Sequence, residues 1–150
     1  MSSRVRYGVR AMFDIAFHGD GCAAQIKDIA ERQGVPPRFL EQIFQDLRRA
    51  GLVSSKRGPR GGYQLTRVPG EISVGDILAA LEGGLGIQPG EDEPPETGDA
   101  ASIAVTDGAF RDIAQRVQAC FDEVSLEDLR ERAESQGLRK SSAAGYVYVI

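Results

Sequence analysis

The run from Pro36 to Thr66, PPRFLEQIFQDLRRAGLVSSKRGPRGGYQLT, leaves this chain few ways to fold. Proline in the first turn of a helix forfeits nothing, because an N–H at that position has no partner. Phe39, Leu40, Ile43, Phe44 and Leu47 then recur at three- and four-residue spacing, which marks one buried face. Gly51 predicts a left-handed cap that closes the helix, and Leu52-Val53 opens a strand. The tip Lys56-Arg-Gly-Pro-Arg-Gly-Gly62 turns that strand into a hairpin.

Upstream, the pattern predicts a helix from about Ser3 to Phe17, with Val5, Val9, Met12, Phe13, Ile15 and Ala16 inward. A short helix follows over roughly Gln25 to Gln33, with Ile26, Ile29 and Ala30 inward and Gly34 as its cap. Two short helices joined through a glycine-containing turn make a helix-turn-helix, and the hairpin makes it a winged one. The expected fold class is mostly α: a winged helix-turn-helix with a two-stranded β-wing plus a long C-terminal dimerisation helix.

Further along, Ser73-Val-Gly-Asp76 and Ser125-Leu-Glu-Asp128 each set a serine cap ahead of a first-turn carboxylate. The first opens a helix through Glu82, the second a helix to about Glu134. Residues 83–104 carry Gly, Pro and acidic residues without periodicity and read as a loop. Helix resumes near Thr106. There Phe110, Val117 and Val124 fall seven apart, with Ile113 and Cys120 between them, a stripe suited to pairing with a second helix. The expected organisation is residues 1–82 as the DNA-binding domain, 83–105 as an acidic effector loop or linker, 106–135 as dimerisation helices and 136–150 as a tail.

The net charge of −4 conceals an asymmetry. Residues 1–67 hold 12 Lys and Arg against 6 Asp and Glu, whereas residues 68–150 hold 6 against 16. A basic half of this kind suits a polyanion. Arg38, Glu41, Gln42 and Gln45 share the outward face near the start of the helix that follows Pro36, where base edges are read. Arg48, Lys56, Arg57 and Arg60 are placed for phosphate or the minor groove, and Gln25 joins the set at the start of the preceding helix. Arg6 and Tyr7, with Arg10 one turn on, either touch backbone phosphates or form a packed Tyr beside solvated Arg residues.

Two cysteines, Cys22 and Cys120, are too few for a disulfide framework and favour a reducing, cytoplasmic setting. No apolar run approaches the ~20 residues of a membrane span. Cys120 reads as a small core residue on its apolar stripe. His18 reads as a surface residue at a helix end. No Ser-His-Asp, P-loop or paired-carboxylate pattern stands out, so catalysis is not expected.

The strings RYGVRAMFDIA, IKDIAERQGVPPRFLEQIFQDLRRAGLVSSKRGPRGGYQL and ISVGDILAALEG resemble the Rrf-two family of bacterial winged-helix regulators, of the IscR, NsrR and CymR type. The likeness is dense over residues 1–82 and looser from Thr106 to about Leu129. It implies a homodimer crossed through the long helix and bound to palindromic double-stranded DNA, most simply as a repressor. Cluster-binding members carry three cysteines in the region of 84–105, and Asp107 falls where one of them has a histidine. This chain has Glu91, Asp92, Glu93, Glu96 and Asp99 there and no cysteine. Thiolates hold iron–sulfur clusters, so the resemblance points to the cluster-free branch with no cofactor. The acidic loop either holds a hard cation, as a metal-responsive sensor would, or is simply solvated.

The last residues, Gly145-Tyr-Val-Tyr-Val-Ile150, are apolar and aromatic. Tyr146, Tyr148 and Ile150 either pack on the chain's own dimer or serve as a peptide ligand. The resemblance suggests cysteine synthase as the enzyme that would receive such a tail.

Overall fold

A computed structural model of the chain describes residues 1–84 and 97–141. Glu91, Asp92, Glu93 and Glu96 of the acidic loop, and Tyr146, Tyr148 and Ile150 of the tail, lie outside the described residues. Helix α1 spans Ser3–His18, α2 Ile26–Gln33 and α3 Pro37–Arg49. Strands β1, Val53–Lys56, and β2, Gly62–Leu65, pair antiparallel with Val53 opposite Leu65 and Lys56 opposite Gly62. A short 3-10 turn at Pro69–Glu71 leads to α4, Val74–Glu82. Helices α5, Ala100–Asp122, and α6, Leu126–Ser135, complete the described chain.

Local chemistry accounts for the boundaries. Ser73 accepts from the Asp76 N–H while the Asp76 carboxylate accepts from the Ser73 N–H, and Ser125 with Asp128 repeats the arrangement at α6. Gly34 at φ 61° and Gly51 at φ 76° supply the left-handed turns after α2 and α3. Leu40, Ile43, Phe44 and Leu47 are buried, as their spacing requires, against Met12, Ile29, Ile72 and Ile77.

Phe39 departs from the expected pattern. It is 40% exposed, because it sits at the edge of the α3 stripe beside Tyr7 rather than over the core. On α1, Phe17 is fully buried while Val9 and Phe13 are only half-buried. Helix α5 begins six residues before Thr106. Asp99 caps it by accepting from the Ala101 N–H at 3.1 Å, and a first turn with no buried face shows no apolar period in the sequence. Within the segment expected to carry dimerisation, α6 packs into the core of its own chain. Leu126 is fully buried, its N–H donates to the Ile72 carbonyl at 2.9 Å, and Val74 donates to Val124 at 2.8 Å.

A buried ion pair clamps α1 to α2. Asp14 has no exposed surface; Arg32 donates to Oδ1 from Nη2 at 2.7 Å and to Oδ2 from Nε at 3.0 Å, and Gln33 Nε2 donates to Oδ2 at 2.9 Å. The hydrogen bond to Asp14 raises the Arg32 pKa above its ordinary value. At the end of α1 the His18 ring meets Phe17 edge-on, and its Nδ1 accepts from the Ser141 N–H at 2.9 Å. Burial pushes the His18 pKa down, Asp14 opposes, and Arg32 and Lys140 add to the lowering. The folded chain therefore favours neutral His18 and binds fewer protons than the unfolded chain. Its contribution is full above the ordinary value of 6.5 and is lost as pH falls below it. Urea unfolding at stepped pH should show wild type losing stability below that point more steeply than His18→Gln. Parallel profiles would exclude the linkage.

Candidate nucleic-acid interface

Burial of Leu40, Ile43, Phe44 and Leu47 turns the opposite face of α3 outward. Arg38, Glu41, Gln42 and Gln45 are all exposed along it, one or two turns apart. Arg48 and Arg49 follow in the last turn, where cations suit the helix dipole. Arg48 Nη1 donates to Ser55 Oγ at 3.4 Å, which links α3 to the wing, and Arg49 pairs with Asp46 at 3.0 Å. Gln45, Arg48, Arg49 and Tyr63 line a cleft of about 420 Å³ between helix and wing.

The wing is held at three points. Ala24 and Tyr63 exchange backbone hydrogen bonds, each at 2.8 Å, so the turn before α2 pairs with β2. The Tyr63 ring stacks on Phe44 at 4.5 Å. Gln25 Nε2 donates to the Pro59 carbonyl at 3.1 Å, which steadies the tip. Gln25, expected to contact DNA, is exposed and also bonds the wing; its partner lies 34 residues away and leaves no local signal. Lys56, Arg57 and Arg60 at the tip are exposed and in no ion pair among the described residues.

Gly62 has φ 137°, and a Cβ there would overlap the Ala24 carbonyl, whereas one at Gly58, φ 109°, would meet open space. Both backbones favour glycine. Gly62→Ala should therefore cost more than the ~1–3 kcal/mol of backbone strain alone and lower DNA affinity, with Gly58→Ala milder. Equal thermal shifts in the two variants would show that the Ala24 contact does not hold the wing.

The N-terminal group resolves into separate roles. Arg6 is exposed, with only Ser3 Oγ at 3.3 Å from its guanidinium. Tyr7 is half-buried, packs edge-on against Phe39 at 5.6 Å, and carries the Arg10 guanidinium 5.8 Å from its ring centre. Arg10 is exposed and is held by the Gln33 carbonyl.

The expected stripe on α5 is open. No residue of α5 is buried; Phe110 is 55% and Ile113 51% exposed, and Val117, with Val124 just beyond the helix, is half-buried. Cys120, expected as a core residue, is exposed, because among the described residues none packs over it. Cys22 is exposed in the turn between α1 and α2. No group of three or more His, Cys, Asp or Glu converges among the described residues, and no helix there is long and apolar enough to cross a membrane. Sequence reasoning missed the Asp14–Arg32–Gln33 clamp. Its signal was an aspartate between Ala11 and Ile15 on the apolar face of α1.

Comparison with known proteins agrees with this geometry. Residues 1–132 match the model of the Rrf2 family, described as an iron-dependent transcriptional regulator. The chain is 41% identical over 139 residues to slr0846 of Synechocystis sp., provisionally named an HTH-type transcriptional regulator, with 90% of each protein covered. Among solved structures it is similar to T. potens IscR, with TM-score 0.72 and 36% identity over 94% of this chain and 93% of that one. It is also similar to CymR, the global cysteine regulator of B. subtilis, with TM-score 0.69 and 36% identity over 88% and 96%. The helix-turn-helix, the anchored basic wing and these likenesses agree: the chain belongs to the Rrf2 family of winged-helix, DNA-binding transcription regulators.

Proposed function

We propose that this chain is a homodimeric repressor that reads a palindromic operator and works without an iron–sulfur cluster, in the cytoplasm and with no catalytic activity. Helix α5 carries the proposal. It is a 23-residue helix with no buried residue and with Phe110 and Ile113 more than half exposed. Such a stripe is covered when two copies cross. At its far end α5 is seated on α4, where Gly75 lies so close to Asp122 that a Cβ would overlap it. Two-fold pairing through α5 presents two α3 helices, and therefore reads a two-fold site. Occupancy of such a site obstructs transcription with no further surface required.

The family description invokes iron, and the donor set of this chain does not fit an iron–sulfur cluster. Such clusters are held by several thiolates, sometimes with imidazoles. The whole sequence has two cysteines and one histidine. Cys22 and Cys120 are exposed on different elements, and His18 Nδ1 is occupied by the Ser141 N–H.

Sedimentation should give a dimer at micromolar concentration, and Val117→Glu should give folded monomers with poor affinity for the palindrome. Wild type sedimenting as a monomer overturns the dimer. Protein purified without oxygen should be colourless and free of stoichiometric iron and acid-labile sulfide; finding both overturns the cluster-free assignment.

A further inference from the structure

We infer that Phe39 is a specificity-determining residue that reads the 5-methyl group of a thymine in each operator half-site. The inference rests on the proposed reading of α3 as the helix that enters the major groove. Phe39 is the third residue of α3, between Arg38 and the pair Glu41-Gln42, and recognition helices contact base edges with their N-terminal residues. It is the one large apolar side chain of α3 that stands well exposed, at 40%, while the other four are buried.

The ring is also held in place. Tyr7 meets it edge-on, centroids 5.6 Å apart and planes at 89°, an arrangement aromatic pairs favour. Tyr7 is fixed in turn by Arg10 over its ring, and Arg10 by hydrogen bonds to Gln33. An exposed aromatic ring steadied by three further residues is preorganised for a contact rather than left over from the core. In the major groove the apolar feature a base pair presents is the thymine methyl, and Phe is among the side chains that meet it. Neighbouring Arg38, Glu41 and Gln42 supply the polar half of the same reading.

The test uses the full chain and an operator selected by the protein itself from random duplexes. Each thymine is then replaced by deoxyuridine, which removes the methyl and nothing else. Wild type should lose about fourfold affinity per half-site at one symmetric thymine, the equivalent of the ~0.8 kcal/mol of one buried methyl-sized group. Phe39→Ala should bind the thymine and deoxyuridine duplexes equally, while Phe39→Leu keeps part of the preference. Comparison of melting temperatures separates loss of reading from loss of fold. If wild type selects no sequence at all, the proposed function fails. If it selects an operator but no thymine in it is methyl-sensitive, or the sensitivity survives in a folded Phe39→Ala, the Phe39 inference is overturned.

Discussion

Replacing Arg32 by Ala should lower the unfolding free energy by about 3–5 kcal/mol, the usual cost of stranding one member of a buried ion pair. Asp14 has no exposed surface, so without Arg32 its carboxylate keeps one donor, Gln33 Nε2, and no countercharge. The reverse change should be milder. The Arg32 side chain is 27% exposed, and after Asp14→Ala its guanidinium can turn to water. Asp14→Leu should be milder still, since an apolar side chain fills the site between Ala11 and Ile15 without a charge to desolvate. Denaturant unfolding of the three variants checks the order. If Arg32→Ala costs no more than Asp14→Leu, the pair does not hold α1 to α2, and the helix-turn-helix is braced by apolar packing alone.

The DNA face should divide into two kinds of variant. Glu41→Ala or Gln42→Ala should cost ~1–3 kcal/mol for each base hydrogen-bonding pair removed. In the proposed homodimer both half-sites are affected, so operator affinity should fall by the square of the single-site factor while affinity for random DNA barely moves. Arg57→Ala and Arg60→Ala should weaken all sequences alike and reduce the salt slope by about 1 for each phosphate no longer neutralised. The division follows from geometry: Glu41 and Gln42 lie on the exposed face of α3, whereas Arg57 and Arg60 stand at the wing tip, in no ion pair among the described residues. Binding titrations on operator and random duplexes over a range of salt read both effects. Unaltered affinity for both duplexes in all four variants would remove the assignment.

Elements whose formation is local were legible in the sequence alone. The spacing of Leu40, Ile43, Phe44 and Leu47 is a property of one helix. Ser73 with Asp76 and Ser125 with Asp128 cap their helices within a single turn, and Gly34 and Gly51 end theirs by backbone freedom alone. The basic residues of the wing were legible for the same reason, since a hairpin tip is exposed whatever lies beneath it.

What only the tertiary structure decided is what lies opposite each face. Periodicity assigned Phe39 to the core, but the ring falls at the stripe's edge and meets Tyr7 from another helix. Gln25 and Pro59 meet across 34 residues, and Asp14 and Arg32 across 18, on different elements that no single helical or strand period relates. The stripe on α5 was visible as a pattern, yet the pattern alone placed Cys120 inside, where the folded chain leaves it exposed. Helix α6 was legible as a separate capped helix, yet only the fold puts Leu126 in the core with its N–H on the Ile72 carbonyl. Caps, turns and amphipathic faces are short-range chemistry and are written residue by residue. Which of two similar faces is buried, and which charge is paired, depends on elements brought together from far along the chain, and only the packed fold supplies those neighbours.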